Sequence, residues 1–259
     1  MKLKIYQIDA FAKNIFEGNP AAVIPLENWI DDTLMQKIAE ENNLSETAYF
    51  VKENKAYNIR WFTPNGEVAM CGHATLASAY VLFEIIGINQ TEIVFHSQSG
   101  ALRVVKDEKK FAMDFPLQKI IQCEVPQEVI EAFNHMPTAC YKSMDYLVIF
   151  DKEEYVQNFI PNLEALKKLD ARGVIITSLS KEYDFVTRFF APKYAINEDP
   201  VTGSAFTQLV PYYVDILKKQ EFHAKQVSLR GGEVFCKLNG ERVEISGYGV
   251  KYLEGEIEL

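Results

Sequence analysis

Residues 60–64 of this chain read Arg-Trp-Phe-Thr-Pro, and residues 188–192 read Arg-Phe-Phe-Ala-Pro. In both copies a Glu follows, and five residues after that Glu a Gly (Gly72 or Gly203) opens a run of small residues. Farther along, Ser-Gly-Ala-Leu at 99–102 is answered by Gly-Gly-Glu-Val at 231–234. Three elements in the same order, repeated after about 130 residues, predict two similar halves.

The composition excludes several classes of protein. With 259 residues, 48% of them hydrophobic and 24% charged, the chain is long enough for two ordinary cores and is typical of a globular protein. A net charge of −9 argues against nucleic acid as a partner, because phosphate binding needs a basic face. No apolar run reaches the roughly 18 residues of a membrane span. The first residues lack the apolar region of a signal peptide, so a cytoplasmic location is expected.

The four cysteines indicate no metal or disulfide framework. They lie far apart and form no Cys-x-x-Cys pair; they are Cys71, Cys123, Cys140 and Cys236. No metal site is therefore predicted.

Each half contains one segment that is apolar on nearly every side. Residues 72–86 and residues 204–217 are predicted as helices, with Pro211 expected to kink or end the second. Segments in which apolar and polar residues alternate, as is typical of strands, follow both helices. Because a helix that is apolar all round needs cover on every side, the pattern predicts an α+β fold with a curled sheet around a central helix in each half. The halves are placed at residues 1–115 and 116–259, with the C-terminal strand 250–259 as a candidate to complete the first.

The two repeated helix starts favour a site for an anion, such as a carboxylate. Gly72 and Gly203 allow close approach to the backbone, and helix N-termini present unpaired amides at a positive dipole end. The alternative is that both glycines only permit tight turns. The duplication, with Glu, His, Asp and Ser residues near it, favours the site.

Glu46 is a possible acid and base. It lies between the end of a predicted helix and an apolar strand, where burial would raise the pKa of a carboxyl group. The alternative is an exposed Glu on an ordinary loop. A second alternative is that residues 34–50 form the first part of a DNA-binding helix-turn-helix, although the acidic charge and the strand-like residues 48–51 oppose it.

Three more residues near the repeated motifs have side chains that can take part in a reaction. His73 follows Gly72, where the helix dipole is expected to lower its pKa and favour the neutral form. Asp199 could orient His73 or bind the substrate; alternatively it is an ordinary turn residue before a Pro. Cys71 is the one thiol at a repeated helix start, and a racemase that works with two opposed thiols needs a second Cys at the matching position of the other repeat. That position is Thr202, so Cys71 is interpreted as a packing residue.

At these residues the chain resembles the phenazine-biosynthesis-like (PhzF-like) isomerase family, which is related in fold to diaminopimelate epimerase. The shared segments include Asn-Leu-Ser-Glu-Thr at 43–47 and Glu-Asp-Pro-Val-Thr-Gly-Ser-Ala at 198–205. The others are residues 8–11, 18–23, 60–64, 71–75, 211–212, 230–232 and 243–247.

The resemblance implies two mostly antiparallel β-barrels, each around a central helix, with the site in the cleft between them. It also implies isomerisation by proton transfer without a cofactor, and a homodimer. By position, Glu46 would be the acid/base, with His73 and Asp199 assisting. The substrate-binding residues would be Gly72, Gly203, Ser204 and Asn19. The chain has Phe206 where many relatives carry His, so the family's phenazine substrate is not carried over.

The resulting hypothesis is an isomerase that moves a carbon-bound proton on a small carboxylated substrate. One alternative on the same fold is an epimerase or racemase, which needs a second base opposite Glu46, supplied by Asp199 or His73. Another is a metabolite-binding protein without catalysis, in which ligand binding would survive the loss of Glu46.

Overall fold

The computed structural model describes all residues 1–259, which form two compact units by their contacts. Unit 1 combines residues 1–114 with residues 246–259, and unit 2 is the continuous segment 115–245. The domain limits given above, 1–115 and 116–259, stay predictions. No helix has both the length and the apolar character needed to cross a membrane.

Most of the regular structure is β-strand. In chain order the strands are β1 (Lys2–Ala10), β2 (Asn19–Leu26), β3 (Glu46–Glu53), β4 (Ala56–Thr63), β5 (Gly66–Val68), β6 (Glu92–Ser97), β7 (Gly100–Asp107), β8 (Lys110–Pro116), β9 (Ile121–Gln122), β10 (Ala139–Lys142), β11 (Tyr146–Ile149), β12 (Val174–Leu179), β13 (Phe185–Ala191), β14 (Ile196–Asp199), β15 (Glu221–Gln226), β16 (Gly232–Asn239), β17 (Arg242–Gly247) and β18 (Gly249–Glu258).

Six α-helices accompany these strands. They are α1 (Asp32–Asn42), α2 (Gly72–Tyr80), α3 (Gln127–Phe133), α4 (Glu153–Asn158), α5 (Leu163–Leu166) and α6 (Phe206–Leu217). A π-helix continues α2 over Val81–Ile86, and 3₁₀ turns occupy Pro192–Tyr194 and Gly203–Ala205.

The strand pairing repeats between the two units. In unit 1, β2 and β3 are parallel, β3 and β4 antiparallel, β4 and β6 parallel, and β6 and β7 antiparallel. In unit 2, β11 and β12 are parallel, β12 and β13 antiparallel, β13 and β15 parallel, and β15 and β16 antiparallel. The duplication read from the sequence is therefore a duplication of topology, and the mixed, mostly antiparallel α+β class is confirmed.

The first repeated helix is a core element. Every residue of α2 from His73 to Ala79 is buried, and the helix packs on β1, β2, β3 and β18. The helix was predicted as one regular element over 72–86, but the structure changes to the wider π form from Val81 and ends at Gly87 in the left-handed region (φ 75°). A Gly takes this conformation without steric cost.

Of the two effects expected of Pro211, a kink or an early end, the structure excludes the early end. α6 continues from Phe206 to Leu217 with Pro211 inside it. A proline deprives the carbonyl four residues earlier of its helical donor. That carbonyl belongs to Thr207, and it accepts instead from the amide of Gln118 at 3.1 Å. The helix continues because a segment outside it satisfies the freed acceptor.

The segment before Glu46 is not a helix-turn-helix. Asp31 caps α1 by accepting from the amides of Thr33 and Leu34, at 2.9 and 3.2 Å. The helix ends at Asn43, which is in the left-handed region (φ 48°). The chain then enters β3 rather than a second helix. The structure thus contradicts the alternative of a DNA-binding motif over residues 34–50.

Candidate active site

The repeated Arg and Glu form the same ion pair in both units. Arg60 donates from Nε and Nη2 to the two oxygens of Glu67, both at 2.8 Å. Arg188 donates from the same atoms to Glu198, at 2.6 and 2.9 Å. These two-point pairs are strong and directional. Each ties its long strand, β4 or β13, to the short strand that leads to a helix start, so their role is to fix that start.

Glu46 and His73 meet in unit 1, although 27 residues separate them in the sequence. Glu46 begins β3, His73 is the second residue of α2, and both side chains are largely buried, with exposed fractions of 13% and 7%. Oε2 of Glu46 lies 3.0 Å from Nε2 of His73. This oxygen is buried and makes no hydrogen bond of regular geometry, so the contact is an ion pair defined by distance. A carboxylate thus stands in a nearly dry site beside an imidazole.

The pKa of His73 is raised by its neighbours. Burial lowers it, but interactions with Cys71 and then with Glu46 outweigh burial, and the pKa lies well above the ordinary value. The expectation that the helix start lowers this pKa is wrong, because the nearby Glu46 carboxylate comes from a different element.

Cys71 is the third member of this cluster. Its Sγ lies 3.5 Å from Nδ1 of His73 and 4.0 Å from Nε2. Burial, followed by the charge of Glu46, raises the pKa of the Cys71 thiol to about 11. The raised pKa disfavours the thiolate at neutral pH, so the Glu46 carboxylate is the negative group beside the imidazole. A thiol in this state is a poor nucleophile.

The same three residues are the one group in the chain with donor atoms placed to hold a metal ion. One atom each from Glu46, Cys71 and His73 lies within 4.8 Å of the others. Carboxylate, thiolate and imidazole are ligands that zinc accepts. Binding needs the deprotonated thiol, which the raised pKa of Cys71 opposes.

Asn19 is placed inside unit 1. It is the first residue of β2, pairs in register with Ala10 of β1, and is fully buried. Its role in substrate binding stays a prediction.

Asp199 ends β14 in unit 2 and is held by a small polar network. Oγ1 of Thr202 donates to its carboxylate at 2.5 Å, and the Gln226 side chain donates to its backbone carbonyl at 2.6 Å. The Gln226 oxygen in turn accepts from the amide of Thr202 at 2.9 Å. This network fixes the turn that leads into Gly203.

Gly203 and Ser204 lie in the 3₁₀ turn that precedes α6. Oγ of Ser204 accepts from Nη2 of Arg172 at 3.0 Å. Arg172 also donates from Nε and Nη2 to the two oxygens of Asp145, at 2.9 and 2.6 Å. Asp145 has no exposed surface and accepts a further hydrogen bond from the Gln208 side chain at 2.8 Å.

No sequence motif marks Arg172, Asp145 or Gln208. The two partners of Asp145 come from 27 and 63 residues away, outside any motif. One signal was present, since Gln208 is a polar residue one turn after Ser204 in a largely apolar helix. Phe206 is a core residue with no exposed surface, and its ring lies 6.2 Å from that of Phe185.

Comparison with known proteins decides the family. The model of the phenazine biosynthesis-like protein family (PhzC-PhzF) matches residues 8–255. The chain belongs to this family. An uncharacterized isomerase of Pseudomonas aeruginosa is 47% identical, with full coverage of both chains. The chain is accordingly an enzyme of the isomerase class, as predicted.

Solved structures confirm the fold. A PhzF family phenazine biosynthesis protein from Enterococcus faecalis is 43% identical, covers 100% of both chains and gives a TM-score of 0.98. A hydroxyproline epimerase from Agrobacterium vitis is only 10% identical, covers 99% of this chain and 92% of its own, and gives a TM-score of 0.64. This second likeness concerns the fold alone, and it agrees with the predicted diaminopimelate-epimerase-like architecture.

Proposed function

We propose that this PhzF-like isomerase moves a carbon-bound proton on a small carboxylated substrate, without a cofactor, and that Glu46 is the acid/base. The observation that carries the proposal is the contact of the Glu46 carboxylate with His73 at 3.0 Å in a site nearly closed to water. A carboxylate with little hydration is an effective base toward a weak carbon acid.

The proton transfer follows from this pair. Glu46 enters as the carboxylate and removes a proton from carbon, and the electron pair left behind is delocalised in the substrate. The resulting carboxylic acid returns the proton to another carbon, so the product is an isomer. The pKa of His73 is raised by Cys71 and Glu46 against the effect of burial, and in its charged form His73 stabilises the carboxylate before and after the cycle.

Asp199, Gly203 and Ser204 are proposed to bind the substrate. Ser204 and the amides of its turn offer donors to a carboxylate group. Asn19 and Gly72 are proposed as binding residues in unit 1. A mechanism with two opposed thiols is disfavoured, because Thr202 occupies the matching position and Cys71 is a neutral, buried thiol.

The test is deuterium incorporation from D₂O. Wild type, Glu46→Gln and Glu53→Gln are incubated with a metabolite extract, and mass and retention time identify any compound that gains deuterium or changes isomer. Glu53 is a matched control because it is an exposed Glu at the other end of β3. The expected result is conversion by wild type and Glu53→Gln and none by Glu46→Gln. Conversion by Glu46→Gln at the wild-type rate would overturn the role of Glu46.

A further inference from the structure

Arg172 has an arrangement that ordinary surface arginines lack. Two of its three guanidinium nitrogens are engaged with Asp145 and Ser204, whereas Nη1 donates to no protein group. The side chain as a whole is 31% exposed. Its guanidinium carbon also lies 5.2 Å from the ring centre of Phe189, which holds the plane from one side.

Asp145, the carboxylate that anchors Arg172, is buried and accepts hydrogen bonds from two side chains. Asp145 has no exposed surface, and Gln208, which is 1% exposed, donates to the same carboxylate oxygen as Nη2 of Arg172. The backbone adds to the hold, because the amide of Arg172 donates to the carbonyl of Met144 at 3.3 Å. A guanidinium fixed in this way loses little rotamer freedom on binding a ligand.

The same contact determines how Ser204 can act. Its oxygen accepts from Arg172, and its carbonyl accepts from the Thr207 hydroxyl at 2.6 Å. With a cation donating to the oxygen, the hydroxyl hydrogen is directed away from Arg172. The N–H groups of Nη1 and the hydroxyl of Ser204 are therefore donors without a protein acceptor. They lie close together, because the Ser204 oxygen accepts from Nη2 of the same guanidinium.

We infer that Arg172 is a substrate-carboxylate-binding residue that also positions Ser204, with Asp145 and Gln208 as its anchor. The inference rests on the proposed function, since it assigns the carboxylate of that substrate to this donor pair. Because Asp145 and Ser204 occupy Nε and Nη2, the substrate carboxylate would take one hydrogen bond from Nη1 of Arg172 and one from the Ser204 hydroxyl. A lysine ammonium has a single nitrogen and does not keep both the Asp145 pair and this free donor in place.

Binding of simple carboxylates tests the inference without knowledge of the substrate. Acetate, malonate and benzoate are titrated by calorimetry at 25 °C and matched ionic strength, with chloride as the reference anion. Arg172→Lys and Ser204→Ala are expected to raise the dissociation constant by about tenfold or more. Arg242→Lys and Ser180→Ala are the matched controls in unit 2, and they should bind as wild type does.

The outcomes separate this inference from the proposed function. Glu46→Gln should bind the carboxylates normally, because it removes the base and leaves the donor pair. Loss of turnover in Glu46→Gln with unchanged affinity in Arg172→Lys would overturn the inference alone. Wild type that binds no carboxylate more tightly than chloride would also overturn it. Urea unfolding of each variant shows that it is folded, and Ser204→Ala keeps the Arg172–Asp145 pair, so its result does not depend on the stability of Arg172→Lys.

Discussion

Removal of Arg188 is predicted to destabilise the protein more than removal of its counterpart Arg60. The Arg188 side chain is 11% exposed and its partner Glu198 24%. Besides this pair, Nη1 of Arg188 donates to the carbonyls of Val156 and Phe159, at 3.2 and 2.6 Å. Arg188→Met would leave a carboxylate and two carbonyls without their donor.

The magnitude follows from the burial of the pair. Breaking a buried ion pair by removal of one partner costs about 3–5 kcal/mol, and the individual hydrogen bonds cannot be added to this figure. Arg60 is 22% exposed, and its additional partner Asp32 is 72% exposed, so solvent screens part of its contribution. For Arg60→Met we therefore expect about 1–2 kcal/mol.

Urea unfolding followed by two signals measures both variants. Both tryptophans, Trp29 and Trp61, belong to unit 1, so their fluorescence reports that unit, whereas far-UV circular dichroism reports the whole chain. At about 2–4 °C per kcal/mol, Arg188→Met should also lower Tm by on the order of 10 °C. Arg103→Met is the control, because the side chain of Arg103 is 60% exposed and its partner Glu92 is 40% exposed. A cost below about 1 kcal/mol for Arg188→Met, or equal costs for Arg188→Met and Arg60→Met, would refute the reasoning.

Three further predictions concern unit 1. Gly247→Ala should lower the free energy of unfolding by about 1–3 kcal/mol, because the new Cβ would lie 2.4 Å from the ring of buried Phe11. Gly255→Ala is the control, and it should leave the free energy of unfolding nearly unchanged in the same urea titration, because its new Cβ meets only ordinary contacts. The raised pKa of His73 means that its charged form stabilises the fold fully below about pH 6.5 and that this contribution is lost as the pH rises through the raised value. The stability difference between wild type and His73→Gln should therefore shrink with rising pH, and a constant difference would contradict the raised pKa. Cys71 should not react with Ellman's reagent in the folded protein at neutral pH, since its pKa is about 11. Wild type and Cys71→Ala should therefore release equal amounts of the coloured thiolate from the reagent. A smaller release from the variant would count against this assignment.

The sequence predicted those parts of the fold that depend on neighbouring residues or on the repeat. The helix that ends before Glu46 and the two apolar helices follow from local patterns, and the structure contains them. The outcome at Pro211 did not follow, because its effect depends on the amide of Gln118, which lies far outside the helix.

The candidate site was predictable only in part. The repeated motifs marked both helix starts, but the contact of Glu46 with His73 depends on how β3 and α2 pack. For that reason the direction of the His73 pKa was missed, since the helix start is visible in the sequence and the facing carboxylate is not. Arg172 and Asp145 gave no periodic or motif signal because a tertiary contact alone joins them.

The pairing of β18 with β1 has a consequence for synthesis of the chain. Unit 2 is continuous, whereas unit 1 needs residues 246–259, which leave the ribosome after all of unit 2. Until then β1 lacks its β18 partner and presents an open edge that can recruit other nascent chains. The amide of Leu259 donates to the carbonyl of Met1 at 2.8 Å, so the chain ends are adjacent. A circular permutant that starts at residue 246 and joins 259 to 1 would supply β18 first, and unit 1 could close without waiting for unit 2.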